Sequence, residues 1–463
     1  MALFGALLCP LALPVNSAGQ DIDSPGPDGR DGTLQLAQPV EPGQASPHLT
    51  ITLQDALERA EKIDAAYSAA ATDAKLAKED RVQARATALP SLSMQTSALL
   101  TQGNGKVPEG RFVTNDGVHV YRQWAVVHQD FSMSSLTMVG DRRGAAGEAL
   151  ARAKAEIAHR GLKLTVTKDY YALIVSQRAY ATAQEGLRQA QHFLDMTREQ
   201  ESQGQIAHSD VLKAQIQFDQ QKVALQEAQL QMEKDRLTLA VLIFPAFTEN
   251  FPLVDDLDQG PSLPSFTDVK VMAENENQDL RVAMEALRAS SLDVSAARSA
   301  LLPSVSTDLD YGIEANAFAL RSVNSAFPEK GPLPNAGYFA TITLNLPVWD
   351  WGSLHSKLRQ AEYRRQQARV ELTQAQRQMV SDLYSTYDEA QTAKSAVAML
   401  RESADLGSES LRLTVLRYQS GQASALEVVD AQNTFSQARN AYDNAQARYR
   451  MALAQLQTLT GSF

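Results

Sequence analysis

Four stretches of the chain alternate apolar and polar residues with period two. In "SLSMQTSAL", Leu92, Met94, Thr96 and Ala98 alternate with Ser91, Ser93, Gln95 and Ser97. In "SVSTDLDYGIE", Val305, Thr307, Leu309, Tyr311 and Ile313 alternate with Ser, Asp and Gly. "YFATITLNL" sets Tyr338, Ala340, Ile342, Leu344 and Leu346 against Thr341, Thr343 and Asn345. In "VHVYRQWAVVHQDF" the alternation is present but spoiled by Arg122. This period predicts strands over 91–101, 118–131, 304–314 and 337–347. Each is about ten residues, the length that crosses a bilayer when tilted. A soluble hairpin packed on a helix has the same period. The polar faces, Ser, Thr, Asn and Asp rather than Lys and Glu, and loops that all fall on one side favour the membrane. Four strands cannot close a barrel, and an open edge in lipid leaves backbone groups unsatisfied. The chain therefore has to associate with copies of itself.

The rest of the pattern is helical. "TLQDALERAEKIDAAYSAAATDAKLAKEDRVQARATALP" opens on Thr52 and Asp55, three residues apart, and stops at Pro90. "SFTDVKVMAENENQDLRVAMEALRASSLDVSAARSALLP" opens on Ser265 and Asp268 and stops at Pro303. Each predicts one continuous helix before a strand pair. A helix of about 100 Å then follows each pair, from about Leu136 to Ser202 and from about Leu354 to Gln419. Each ends at a glycine, Gly204 or Gly421, and a return helix runs to Phe244 or Thr460. In the second return helix, Val428, Ala431, Phe435, Ala438, Tyr442, Ala445, Tyr449, Ala452, Leu456 and Leu459 advance by threes and fours, a heptad seam. Shifted by 217 residues, the seam recurs from Val211 to Leu242, broken only at Gln221 and Asp235. The chain is thus an internal duplication. The first structural repeat covers 49–245 and the second 265–461, joined by a linker over 246–264. The fold class is mainly α with transmembrane β: long antiparallel hairpins plus four strands per chain.

Before the first repeat lies "MALFGALLCPLALPVNSAGQ", a short apolar run closed by small residues, which reads as a signal peptide over 1–19. Residues 20–48, crowded with Pro, Gly and Asp, read as a disordered leader. Cys9 is the only cysteine, so a cleaved chain has no thiol for a nucleophile, a disulfide or a metal. The net charge of −11 argues against nucleic acid as a partner.

The two glycines sit where a long helix reverses into an antiparallel partner, a place for left-handed backbone. Ser424 caps the second return helix, and Glu427 completes a Ser-x-x-Glu box. Glu427 and Asp430 share one face of the first turn. Two readings fit them. Acids stabilise helix starts, which suits Glu427, whereas Asp430 is too far in to cap. Alternatively, in a symmetric assembly they repeat around the axis and form a ring of carboxylates that selects cations. The first-copy partner of Asp430 is Lys213.

"LTITLQDALERA", the helix-ending "ALP" and "LLP", "LPVWDWG" and "YQSGQASALEVVDAQ", in this order and duplicated, resemble the TolC-like outer-membrane efflux proteins of Gram-negative bacteria. The resemblance runs from Leu49 to Gly461. It implies a homotrimer with a twelve-stranded β-barrel in outer-membrane lipid and an α-helical tunnel reaching across the periplasm. It implies a periplasmic adaptor, met by the hairpin tips at Gly204, Gln205, Gly421 and Gln422, and an inner-membrane transporter behind it. The implied periplasmic gate is Glu427 and Asp430, with Tyr418 tethered to Asp210. The family's basic gate residue is Ala423 here, which moves the lock to another group such as Arg417. The first copy has "SMSS", Ser132 to Ser135, in place of the "WDWG" turn.

No nucleophile elbow, phosphate loop or dinucleotide fingerprint occurs, so no enzyme activity and no cofactor are expected. The histidines are scattered without ligand spacing, so no metal site is assigned. His208 lies in the first tip. Trp349 and Trp351 fit either interfacial anchors or packing at the strand–helix junction. The expected function is an exit duct for efflux or type I secretion. The alternative is a soluble periplasmic coiled-coil scaffold. The sequence does not fix the cargo.

Overall fold

The structure is a computed structural model describing residues 50–100, 119–246, 251–315, 318–323 and 328–461. The expected signal peptide and leader, and the whole first strand loop over 101–118, lie outside the described residues. Among the described residues no helix is long and apolar enough to cross a membrane.

The expected helix before each strand pair is in fact two. Helix α1 (Leu53–Ile63) stops at Asp64 and α2 (Ala65–Ala86) begins there. The Asp64 carboxylate accepts from the Tyr67 amide at 2.6 Å. In the second half α6 (Phe266–Glu276) and α7 (Gln278–Ser299) divide at Asn277, whose side chain accepts from the Leu280 amide at 2.9 Å. Short Asp and Asn side chains offer the backbone a cap in competition with the helix, and here the cap prevails.

Strands β1 (Ser91–Leu100), β2 (His119–Phe131), β3 (Ser304–Ala315) and β6 (Ala336–Asn345) form one antiparallel sheet in the order β1-β2-β3-β6. A short pair, β4 (Arg321–Val323) with β5 (Pro332–Pro334), sits in the loop between β3 and β6. The register aligns Leu92, Val127, Leu309 and Ala340 across the sheet, and Met94, Ala125, Tyr311 and Tyr338 in the next row. Arg122 does not spoil the pattern. It lies on the opposite, polar face and pairs with Glu314 directly across, at 2.8 Å. His128 meets Asp308 on the same face at 2.6 Å.

Each strand pair leads into a long helix through a left-handed residue. After β2, the short α3 (Met133–Leu136) is followed by Met138 at φ 50°, so α4 (Val139–Ser202) begins later than its sequence pattern suggests. After β6, Trp351 and Gly352 have φ 56° and 79°, and the Asp350 carboxylate accepts from the Gly352 amide at 3.0 Å, opening α8 (Ser353–Gln419). Trp349 and Trp351 stack edge to face and stay 75 % and 89 % exposed, so neither packs into the junction. The return helices are α5 (His208–Ile243) and α9 (Ala425–Thr460).

Near the sheet the helices pack in the order α2, α4, α7, α8, and toward the tips in the order α5, α4, α9, α8. First-half elements therefore hold one edge and second-half elements the other. The largest core lies where α1, α4 and α5 meet the linker and includes Ile51, Tyr170, Leu173, Ile174 and Ile243. Arg178 of α4 binds Asp255 and Asp258 of the linker and Asp443 of α9, at 2.6, 2.8 and 3.0 Å. This node clamps the linker across both halves.

Candidate functional site

The site is the pair of hairpin tips, and both helices end the same way. At the first tip the Gly204 amide donates to the Glu201 carbonyl at 2.8 Å, and the Gln205 amide to Gln200 at 2.9 Å. At the second, Gly421 donates to Tyr418 at 3.0 Å and Gln422 to Arg417 at 2.8 Å. These nested bonds satisfy orphan carbonyls and require left-handed backbone, which the glycines supply at φ 71° and 74°.

Entry into the return helices differs. Ser424 accepts from the Glu427 amide, and one Glu427 oxygen accepts from the Ser424 amide at 3.0 Å and its hydroxyl at 3.1 Å. The other Glu427 oxygen faces Arg417 at 3.6 Å. The Ser424 bonds, then the Arg417 charge, hold the Glu427 carboxyl below its ordinary range. At the first tip the cap residue is Ala207, which has no side chain to accept a bond. Asp210, the equivalent of Glu427, instead binds Lys213 at 3.1 Å. His208 reaches back across the turn to Glu201 at 2.7 Å. The pairing joins residues on either side of the glycine turn, a spacing that marks them once the turn is placed.

Asp430 is exposed and has no hydrogen bond or ion pair among the described residues. The two acids named from sequence therefore differ: one is engaged in its own tip and the other is open. Gln205 and Gln422 are both exposed at the turns. Arg417 does not reach across to the first tip; it donates to the Gln422 carbonyl at 3.1 Å.

The tips share a core. Tyr418 is 5 % exposed and stacks edge-on against Phe193 of α4 at 5.1 Å, beside Val211, Ala214, Ala425 and Val428. Its hydroxyl has no hydrogen-bond partner among the described residues. Burial, and then the charge of Asp210, raise its pKa. Sequence reasoning did not single out Phe193, because nothing local distinguishes it from other apolar positions of α4. Among the described residues no cluster has the donors to hold a metal ion.

The outer membrane efflux protein family model matches residues 270–462. The probable efflux pump outer membrane protein TtgC of Pseudomonas putida is 25% identical over 299 residues, 63% of this chain and 58% of that protein. The pyoverdine export outer membrane protein OpmQ of Pseudomonas putida is 27% identical over 310 residues, 63% and 59% of the two chains. This chain thus spans under two thirds of the length of these relatives. The open state of the Neisseria gonorrhoeae MtrE outer membrane channel superposes with a TM-score of 0.74 at 20% identity, over 92% of this chain and 96% of that one. The helical hairpins and four-stranded sheet therefore have the fold of TolC-like outer membrane channels, and residues 270–462 match the outer membrane efflux protein family.

Proposed function

We propose that this chain is the outer-membrane exit duct of a tripartite export system, acting as a homotrimer. The observation that carries the reading is a pair of unlike free edges running the length of the molecule. On one edge the outer side of β1 has no partner strand among the described residues, and α5 exposes Ile216, Val223, Leu230 and Leu237 at heptad spacing. On the other, the outer side of β6 has none among them, and α8 exposes Met399, Leu406 and Leu413 at the same spacing. Unlike edges join head to tail, and such contacts generate a closed ring when the rotation closes. Three copies give twelve strands with no edge left in lipid. The row of Leu92, Val127 and Leu309 then faces lipid, and Arg122, Glu314, His128 and Asp308 face the lumen.

In this duct Asp430, the unpaired acid, forms the cation-selective ring at the periplasmic gate. Glu427 serves the fold of the second tip. Tyr418 and Asp210 approach each other across the two tips, and the tether is made or released as they move. Gly204, Gln205, Gly421 and Gln422 form the surface that meets a periplasmic adaptor, which connects to an inner-membrane transporter. We read 49–245 and 265–461 as two structural repeats, a reading supported by the matching caps at Thr52 and Ser265 and the matching breaks at Asp64 and Asn277. The relatives include a pyoverdine export protein and an efflux pump protein, so the duct reading does not depend on one cargo.

The test is the native mass of the protein extracted by detergent from separated outer membranes. A trimer in that fraction supports the duct. A soluble periplasmic monomer or dimer overturns it in favour of a coiled-coil scaffold.

A further inference from the structure

The loop between β3 and β6 lies at the end of the sheet farthest from the helices, since β3 follows α7 and β6 leads into α8. Its described residues, 318–323 and 328–335, form a built element. The Asn335 amide donates to the Leu320 carbonyl at 2.9 Å, and its side chain donates to the Ala319 carbonyl at 2.8 Å and accepts from the Ser322 hydroxyl at 2.7 Å. These bonds hold β4 against β5. Yet this small sheet covers little of its own apolar surface. Phe318 is 60 %, Leu320 72 %, Val323 50 % and Leu333 37 % exposed. An exposed apolar cluster on a polar-framed loop marks an interaction surface.

Its position says what covers it. Phe318 packs edge-on against Tyr121 at 6.4 Å. Tyr121 lies on the same sheet face as Ala125, Val127, Leu309 and Tyr338, the face assigned to lipid. Phe318 therefore ties the loop to the outside of the sheet, next to the apolar band. Arg321, exposed on the same short sheet, has a stem long enough to lie on apolar surface with its charge among headgroups.

We propose that the β4–β5 loop is a membrane anchor, inserting Phe318 and Leu320 among the acyl chains of the outer leaflet. The proposal rests on the barrel reading, and the experiment separates the two. In the full-length chain carrying Cys9→Ser, single Leu320→Cys and Ile342→Cys variants are labelled with a small fluorophore and reconstituted in phospholipid vesicles. Ile342 lies on the lipid-assigned face of β6, 74 % exposed. Nitroxide-labelled acyl chains should quench both labels to a comparable degree, with little quenching by aqueous iodide. Quenching at Ile342 by lipid but at Leu320 only by iodide overturns the anchor and leaves the barrel standing. A Leu320 label shielded from both quenchers, with Ile342 still quenched by lipid, also overturns it and assigns the loop to contacts between copies over the mouth. Absence of lipid quenching at Ile342 removes the barrel reading and the anchor with it.

Discussion

The two hairpin tips end their long helices with the same pair of backbone bonds, yet begin their return helices differently. The third residue of each return helix is an acid. At the second tip Ser424 precedes it, and Glu427 is drawn into a reciprocal cap. At the first tip Ala207 precedes it, and Asp210 is left to Lys213. Three residues further on the charges reverse: Lys213 in the first copy, Asp430 in the second. The two tips share the reversal of the chain, which backbone geometry demands, and differ in the side chains that follow it. One tip thereby acquired a self-contained fold and an open carboxylate, the other a locally neutralised one.

The largest effect should come from the shared part. Valine at Gly204 or Gly421 forces a β-branched residue into left-handed backbone, at a cost of roughly 1–2 kcal/mol. Both variants should abolish export while the detergent-extracted trimer persists. Export by either variant at the normal rate would remove the adaptor-docking role of that tip. The caps sharpen the contrast. Ser424→Ala should lower the stability of the second tip by about 1 kcal/mol, and Ala207→Ser should raise that of the first by a similar amount. Amide exchange in the first turns of α5 and α9 reads both; a null result for Ala207→Ser would mean that the first tip is fixed by its core and by Glu201–His208 alone.

Selectivity should separate the two acids. Asp430→Asn should lower the cation-to-anion permeability ratio in planar bilayers, and Glu427→Gln should change it far less. Equal losses would restore the pair as one ring. The smallest effect is one of pH. The Glu427 carboxyl is held below its ordinary range, so its cap is fully present above the unfolded value, about 4.3. Protection at the second tip is lost only as pH falls through the lower folded value. The first tip has no such cap, and its exchange should not follow this transition. Matching profiles at both tips would assign the pH response to the shared core.

Much of this molecule was legible in the chain because its determinants are local. Period two placed the strands, the heptad seam placed the return helices, and glycine placed both reversals. The breaks at Asp64 and Asn277 were missed because a mid-helix Asp or Asn reads as an ordinary polar position until its capping bond is seen. Arg122 breaks the alternation when its strand is read alone, because one strand does not reveal its neighbour; the register that sets it against Glu314 joins residues far apart in sequence. Spacing alone set Glu427 and Asp430 on one face of the second return helix. Spacing could not say that one oxygen pair would be taken by Ser424 and Arg417 while Asp430 stayed open. Likewise the burial of Tyr418 against Phe193 is a side-chain contact between α8 and α4, helices of separate hairpins brought together by α9. The sequence by itself determined the four long strands, the long and return helices, their order and the turns, since these follow from neighbours a few residues apart. Only the tertiary structure decided which charges are engaged and which edges remain free, because both depend on helices and strands brought together across hundreds of residues.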